Sequence, residues 1–436
     1  MSEPMLNNEP DPTAFVCSCD ETSRSSCAGL PSFETISDGT YCVLHFPGPK
    51  GDEFSDAVTA KLNASNFDFS GVYFPGSFSF FGQHFRFEAK FEGAVFASDV
   101  DFGEAIFDEG ADFSRALFKG DATFFIAQLK GPVDFGSAEF HKRAVFNSTR
   151  FFEDALFTFA VFNGETDFQR ASFGGLLTLD FVVVKDTLTF ALIQDYKQEQ
   201  GFGVDGALWM SGARIDHPEN VSFQSLCLRP SWFVNVDVRK FNFIEVDWKE
   251  LSHARFLYDI RDDIAYLEKS SVEIPYRLLS ITYRQLANNA EESHRYRQAS
   301  IFRYFSMDVL RREDPSFRAV LSLDWWYWFA SGYGELAGRA LLILLLLIFL
   351  FGCAYLIVGF SRSTDKIRSA PTADVTGAPI RPVSAAFLYS SEVLTLQKPE
   401  PKPLTASARI LVTLETILGP TQLALLALAI RRKFMR

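Results

Sequence analysis

One stretch decides the fold of this 436-residue chain: Ala111-Asp112-Phe113-Ser114-Arg115-Ala116-Leu117-Phe118. Its two phenylalanines belong to a ladder of bulky residues between Phe69 and Phe173, whose spacing alternates between five and six positions. An amphipathic helix needs an apolar period of about 3.6 residues, and a half-buried strand needs a period of about 2. A strict 11-residue repeat of two bulky residues instead predicts a solenoid, whose coils stack like residue on like residue.

The ladder also predicts how the core of this solenoid is filled. All of its rungs are phenylalanine except Leu129, and each rung should pack on the matching rung of the next coil. Alanine stands two positions before most rungs, where a small side chain would also point inward. At about 4.8 Å per coil, five coils would give a rod of about 24 Å. We therefore expect Phe113 to be almost completely buried.

The repeat resembles the pentapeptide-repeat family, whose units read Ala-Asp/Asn-Leu/Phe-x-x. That resemblance implies a mainly β fold, a right-handed quadrilateral β-helix in which two 11-residue units make one coil. The extra residue in every second unit then indicates a widened corner. After Phe173 the pattern loosens around a polar insert at 194–203, and a period of five returns between Phe223 and Trp248.

Composition narrows the range of functions. The net charge of −12 argues against a general nucleic-acid binder. Residues 1–14 are polar and acidic, which is typical of a disordered tail, and they lack the apolar core of a secretory signal peptide. Six cysteines are too few for a disulfide framework in a chain of this length. The sequence contains no Walker loop, serine-hydrolase elbow or zinc-protease motif, so we expect a protein that is not an enzyme.

The segment ahead of the ladder holds the candidate metal ligands. Cys17, Cys19 and Cys27 precede Cys42 and His45, and this grouping is the ligand chemistry of a structural zinc site. The C-x-x-H spacing places a thiolate and an imidazole on one tight turn, and the layout resembles short zinc knuckles. Cys27, Cys42 and His45 are the predicted ligands, with either Cys17 or Cys19 as the fourth. The alternative is a cap with free thiols, and in either case the segment should cover the first coil.

Beyond the solenoid the apolar period becomes helical. From about residue 275 it predicts a helical hairpin with a joint near 288–293. Three tryptophans at 324–329 resemble an interfacial aromatic belt ahead of an apolar span. The predicted hairpin carries five arginines, which form either a solvated face or an arm near anionic lipid headgroups. These are Arg295, Arg297, Arg303, Arg311 and Arg312.

Two apolar runs predict transmembrane helices. Residues 340–360 and 410–430 are each 21 positions long, which at about 1.5 Å per residue is enough to cross a bilayer core. The basic tail 431–436 abuts the second run, so the positive-inside rule places the C-terminus in the cytoplasm. Two spans then put the solenoid and the N-terminus there as well, where thiolates stay reduced. The predicted location is the inner or plasma membrane.

Residues 337–434 resemble a two-helix potassium-channel pore subunit, with 385–396 as its re-entrant segment. This resemblance implies a homo-oligomer, normally a tetramer, with Gly419 at the hinge of the inner helix. Glu415 would either reach the outer headgroups or face a pore or a neighbouring subunit. The filter departs from the channel pattern, because 395–399 contains no glycine to turn carbonyls inward. Potassium selectivity is therefore not expected.

Bacterial pentapeptide-repeat membrane proteins with such a channel-like end form a family that this chain resembles over most of its length. Two functions are compatible with it: a scaffold anchored in the lipid bilayer that binds a cytoplasmic protein, and an oligomeric ion-channel-like protein with a degenerate filter. A DNA-mimicking topoisomerase inhibitor fits the acidic charge but not the membrane anchor. The predicted segments are the tail 1–14, a zinc-knuckle-like cap 15–60, the solenoid 61–248, a helical linker 249–336 and a two-span membrane domain 337–436.

Overall fold

The computed structural model describes residues 15–27, 29–192, 201–203, 206–248, 276–313, 322–358, 382–397 and 406–434. The chain divides into two compact units between Asn289 and Ala290. The first unit holds the solenoid and the second holds helices. The predicted tail, the insert residues 194–200 and the linker residues 249–275 lie outside the described part of the chain.

Four parallel sheets form a β-solenoid of about eight turns. The first sheet stacks Ala89–Lys90, Ala111–Asp112, Val133–Asp134, Ala155–Leu156, Leu176–Thr178 and Ala207–Trp209. The second stacks Tyr73–Phe74, Val95–Phe96, Leu117–Phe118, Glu139–Phe140, Val161–Phe162, Val183–Val184 and Arg214–Ile215. The third stacks Phe78–Ser79, Val100–Asp101, Ala122–Thr123, Ala144–Val145, Thr166–Asp167, Leu188–Ala191, Val221–Gln224 and Asn242–Ile244. The fourth stacks His84–Phe85, Ile106–Phe107, Gln128–Leu129, Arg150–Phe151, Ser172–Phe173 and Gly201–Phe202.

The predicted phenylalanine core is confirmed. Ala111 pairs with Ala89, so one coil takes 22 residues, which is two 11-residue units. Phe113 stacks between Phe91 and Phe135 with ring centroids 4.9 and 4.8 Å apart and interplanar angles of 3° and 4°. It is 0% exposed. Rings in neighbouring columns meet edge to face, and offset stacks combined with edge contacts are the favourable geometries for aromatic pairs.

The predicted return of the ladder after the insert is also confirmed. Phe223 stacks on Phe190 across a sequence separation of 33 residues, with centroids 5.1 Å apart and ring planes 1° apart. The stacking of the core therefore continues across this longer coil. Cys227–Leu228 pairs in parallel with Asp247–Trp248 in the last coil, and Trp248 is buried as the final rung.

The corners of the coils explain the aspartates of the repeat. A residue with a φ of +55° to +66° recurs every 11 positions, two places after a rung. The side chain of Asp112, one place before Phe113, accepts a hydrogen bond from the Ser114 N–H at 2.8 Å. The N–H of Arg115 then donates to the next coil at Gly136. Such aspartates therefore hold the turn, which is an Asx-type role beyond that of a solvated exterior.

The Cys/His segment packs on the first coil. It contains a 3₁₀ turn at Glu21–Cys27, an antiparallel hairpin of Glu34–Ile36 with Gly39–Tyr41, and helix α1 at Asp52–Asn63. Phe54 of α1 lies edge to face with Phe74, the centroids 5.5 Å apart. The open end of the core is therefore covered.

A second helix covers the other end of the solenoid. After short 3₁₀ turns at Pro218–Asn220 and Pro230–Phe233, helix α2 runs from Tyr276 to Glu292. The buried amide of Asn289 donates to the carbonyls of Val238, Arg239 and Phe241 at 3.3, 3.0 and 2.7 Å. Within the described residues no further coil pairs with these carbonyls, so the Asn289 side chain supplies hydrogen bonds that a following coil would otherwise give.

The second unit consists of α3 at Tyr296–Glu313, α4 at Leu323–Ser331, α5 at Ala337–Val358, α6 at Pro382–Leu394 and α7 at Ala406–Phe434. Within them, Ala337–Ile357 and Ala406–Arg432 are 21 and 27 residues long and apolar enough to cross a membrane. Both predicted spans thus coincide with helices, apart from residues 359 and 360, which lie outside the described part. A short helix is also present where the re-entrant segment was predicted.

Three of the five predicted surface arginines are used inside this unit. The Nε atom of Arg303 donates to Glu335 at 3.1 Å, and Arg311 and Arg312 both donate to the buried carboxylate of Asp308 at 2.7 and 2.9 Å. A buried carboxylate needs such partners because an unpaired buried charge is strongly destabilising. These arginines therefore have a structural role that the helical pattern did not reveal.

Candidate functional site

Four of the five predicted metal ligands come together in a buried cluster. The ligand atoms of Cys17, Cys27, Cys42 and His45 all lie within 4.8 Å of one another. Cys19, the other candidate for the fourth position, is half-buried and lies outside this group. The geometry thus brings together one complete set of four ligands, which we call the Cys3His cluster.

Three separate turns position these side chains. Cys27 is the last residue of the 3₁₀ turn, and Cys42 directly follows the second strand of the hairpin. The N–H of His45 donates to the carbonyl of Cys42 at 3.2 Å, which closes the tight turn expected from the C-x-x-H spacing. The Cys42 N–H lies 3.4 Å from the Cys17 sulfur and donates to it. Backbone hydrogen bonds thus hold the ligands in place.

The tautomer of His45 suits metal ligation. Its Nε2 lies 3.1 Å from the carbonyl oxygen of Ser70, which can only accept a hydrogen bond. With the ring proton on Nε2, this nitrogen donates to that carbonyl and Nδ1 presents its lone pair towards Cys42, whose sulfur is 3.2 Å away. A ligating histidine commonly donates its other N–H to a backbone carbonyl in this way.

Two lysines place their amino groups beside the cluster, and burial lowers the pKa of both, that of Lys50 to about 7. Lys50 donates to the carbonyl of Leu44 at 2.6 Å, and Lys61 donates to the carbonyl of Ser26 at 2.7 Å. Leu44 and Ser26 each adjoin a cluster residue in the chain. Three thiolates around a divalent ion would carry one net negative charge, which nearby ammonium groups stabilise.

Protonation distinguishes the three thiols. Burial raises the pKa values of Cys27 and Cys42 to about 12. Burial also acts to raise the pKa of Cys17, but hydrogen bonds from the backbone of Cys42 and Cys19 and from neighbouring thiols outweigh it, and that pKa is lowered. Burial lowers the pKa of His45, so the ring is neutral. Such a set of buried thiols and a neutral imidazole could hold a metal ion, because a metal replaces the thiol protons.

A second polar site lies inside the helical unit. Glu415 on α7 is 1% exposed, and each of its carboxylate oxygens accepts a hydrogen bond. Tyr355 of α5 donates from its hydroxyl at 2.6 Å, and Ser390 of α6 donates to the other oxygen. The carboxylate thus joins all three helices. Its predicted place at a pore or subunit interface stays a prediction, and an exposed position at headgroups does not agree with this burial.

Glycines let these helices approach one another closely. A Cβ on Gly419 would lie 2.8 Å from the side chain of Leu394, and a Cβ on Gly352 would lie 2.4 Å from the ring of Phe387. Both contacts join α6 to a long helix of the same chain. Gly419 is therefore a packing position within the chain, whatever its role between subunits.

Sequence reasoning missed several of these partners. Ser70, Lys50 and Lys61 have no fixed spacing from the ligands, so no motif could have found them. Tyr355 carried a usable signal, because a polar hydroxyl within an apolar span needs a hydrogen-bond partner, and Glu415 is the carboxylate of the facing span.

No family model, curated protein or solved structure matches this chain. Its function is therefore inferred from its own residues.

Proposed function

We propose that this chain is a membrane-anchored, non-enzymatic scaffold that presents a rigid β-helix to a cytoplasmic protein partner. In this proposal α5 and α7 cross the inner or plasma membrane and both termini lie in the cytoplasm. The observation that carries it is the combination, in one chain, of a parallel solenoid and two helices long and apolar enough to span a bilayer.

The solenoid itself is proposed to be a right-handed, four-sided pentapeptide-repeat β-helix. Four sheets and a 22-residue coil support this geometry. Parallel connections between strands are also overwhelmingly right-handed.

Exposed aromatic side chains support a partner-binding role. Phe159 and Phe181 stack on each other outside the core, with centroids 5.1 Å apart, while they are 58% and 50% exposed. Large exposed aromatic residues are the common anchors of protein interfaces. We place the partner's contact at this pair.

The metal of the Cys3His cluster is proposed to be zinc in a structural role. Three thiolates and one imidazole form a closed four-ligand set of the kind that zinc prefers. When bound, the ion would fix the cap on the first coil. Cys17, Cys27, Cys42 and His45 would be the ligands, and Cys19 would stay outside.

The channel-like alternative receives less support. A ring of Glu415 side chains around a pore needs free carboxylates, and both oxygens are engaged by Tyr355 and Ser390 of the same chain. Planar-bilayer recording on the purified protein, paired with Glu415→Gln, tests this alternative. A current abolished by the substitution would favour the channel over the scaffold.

Topology and partner binding test the scaffold. Membrane fractionation with protease protection should leave the solenoid accessible from the cytoplasmic side only. Cross-linking in intact cells should give a protein adduct that Phe159→Ser with Phe181→Ser removes. Phe152→Ser is the matched control, because Phe152 is also exposed but lies at another corner. A soluble protein, or an adduct that both variants retain, would contradict the proposal.

A further inference from the structure

We infer that the second unit binds the phosphate of an anionic lipid through Arg339, held on the ring of Trp328. This inference depends on the proposed membrane insertion, and it assigns a partner to a surface at the end of the first span. The side chains that form this surface are Tyr304, Arg311, Trp328 and Arg339.

Trp328 is a platform for two guanidinium groups. The Cζ atoms of Arg311 and Arg339 lie 4.2 and 4.5 Å from the centroid of a Trp328 ring. The indole N–H donates to the hydroxyl of Tyr304 at 3.0 Å, which fixes the orientation of the ring. An aromatic face attracts a guanidinium and leaves the N–H donors at its edge available.

The charges around this platform do not balance. Asp308 is the carboxylate that binds both Arg311 and Arg312. Across the described ranges no carboxylate forms an ion pair with Arg339. Arg339 therefore brings a positive charge to this surface that Asp308 does not pair, since arginine stays protonated. A fixed, unbalanced guanidinium is suited to bidentate binding of a phosphate.

The depth of the platform selects a lipid as the source of that phosphate. Arg339 is the third residue of α5, the first proposed span, so it lies at the level of the headgroups. Trp326 on the preceding helix is 54% exposed, and indoles concentrate at that level of a membrane. The end of α7 lies beside the start of α5, because Arg432 donates to the carbonyl of Tyr333 at 3.0 Å. Basic residues of both spans therefore meet at one membrane face, where anionic lipids attract them.

Native mass spectrometry of the detergent-purified full chain tests the site. Titration with phosphatidylglycerol should give lipid adducts at lower concentration than titration with phosphatidylcholine. Arg339→Gln should weaken the phosphatidylglycerol affinity by roughly fivefold, the effect of one interfacial cation. Arg339→Lys should weaken this affinity less, because the positive charge remains while the planar guanidinium that binds phosphate through two N–H groups is lost. Arg86→Gln is the control, since Arg86 is an exposed arginine of the solenoid, and it should leave the affinity unchanged.

Equal affinities for the two lipids, or an Arg339→Gln protein that keeps the preference, would overturn the assignment of the lipid to Arg339. If millimolar inorganic phosphate displaces bound phosphatidylglycerol as effectively as added lipid does, the site would be assigned to free phosphate instead. Thermal melts of each variant in detergent exclude a loss through misfolding. If the chain is absent from membranes altogether, the proposed function is wrong. If the chain is inserted but shows no preference for the anionic lipid, only this inference is wrong.

Discussion

The hydroxyl of Tyr355 on α5 donates to the buried carboxylate of Glu415 on α7 over 2.6 Å. Ser390 binds the other carboxylate oxygen. Because these residues lie on three different helices, one buried carboxylate fixes the position of the short helix α6 against both long ones. A channel-like arrangement of helices can thus be held together within one chain.

Removing the tyrosine hydroxyl should loosen this arrangement. In Tyr355→Phe one oxygen of Glu415 loses its donor while it stays buried, which costs about 1–3 kcal/mol. We expect a lower melting temperature in detergent and faster hydrogen exchange in 382–394.

Thr416→Val is the control for that substitution. Thr416 is exposed, next to Glu415 in sequence, and its hydroxyl only donates to the Val412 carbonyl one turn earlier in the same helix. The control should behave like the native protein. Unchanged exchange in Tyr355→Phe would show that the hydrogen bond does not hold α6.

Metal analysis should separate the two cysteines between which the sequence could not decide. Protein purified without chelator should contain about one zinc per chain, as a closed four-ligand site requires. Cys42→Ser and Cys17→Ser should lose the ion, whereas Cys19→Ser should retain it, because Cys19 lies outside the Cys3His cluster. Retention by Cys17→Ser with loss by Cys19→Ser would reverse the assignment.

Zinc affinity should rise steeply with pH. Burial raises the pKa values of Cys27 and Cys42 to about 12, so near neutral pH both thiols are protonated in the metal-free protein and each releases a proton on binding. Cys17, with its lowered pKa, releases at most one, and His45, with its lowered pKa, is already neutral and releases none. About two to three protons should therefore leave per zinc.

Calorimetry in buffers of different ionisation enthalpy counts these protons directly. For each unit of rising pH, the base-10 logarithm of the zinc dissociation constant should fall by the number of protons released. A value near zero would mean that the cluster does not bind the metal through its thiols.

The fold was largely predictable because its signal repeats. An 11-residue pattern sampled ten times reports the same inward position each time, so stacked rings such as Phe91 and Phe113 follow from spacing alone. The end caps could not be predicted in the same way. Asn289 binds carbonyls about 50 residues earlier in the chain, and such a contact has no period.

The candidate sites likewise contain residues that the sequence predicts and partners that it does not. The members of the Cys3His cluster were predictable because cysteine and histidine are rare and chemically specific, but only packing decides that Cys17 rather than Cys19 joins them. The partners of Glu415 were not predicted, since a hydroxyl in a span has no spacing rule that connects it to a carboxylate on another helix.

The Asn289 cap gives a prediction for the C-terminal end of the solenoid. Asn289→Ala should leave the carbonyls of Val238, Arg239 and Phe241 with fewer donors and cost about 1–3 kcal/mol. The last coil, at 221–248, should then exchange its amide hydrogens faster than the coils at 100–140. Uniform exchange along the rod would show that α2 does not protect this end.

The ring of Phe113 is expected to be among the most important single side chains for stability. It is fully buried between Phe91 and Phe135, and the coils on both sides are fixed by their own ladders, so they cannot collapse into a vacated space. Phe113→Ala should therefore cost about 3–5 kcal/mol, the range for large-to-small changes in a core.

Phe125→Ala is the control, because Phe125 has the same ring but is 42% exposed, and it should change stability by less than about 1 kcal/mol. Urea unfolding of the two variants, followed by circular dichroism of the β signal, measures the difference. Equal losses in both variants would contradict a core of stacked phenylalanines, since only a buried ring leaves a cavity.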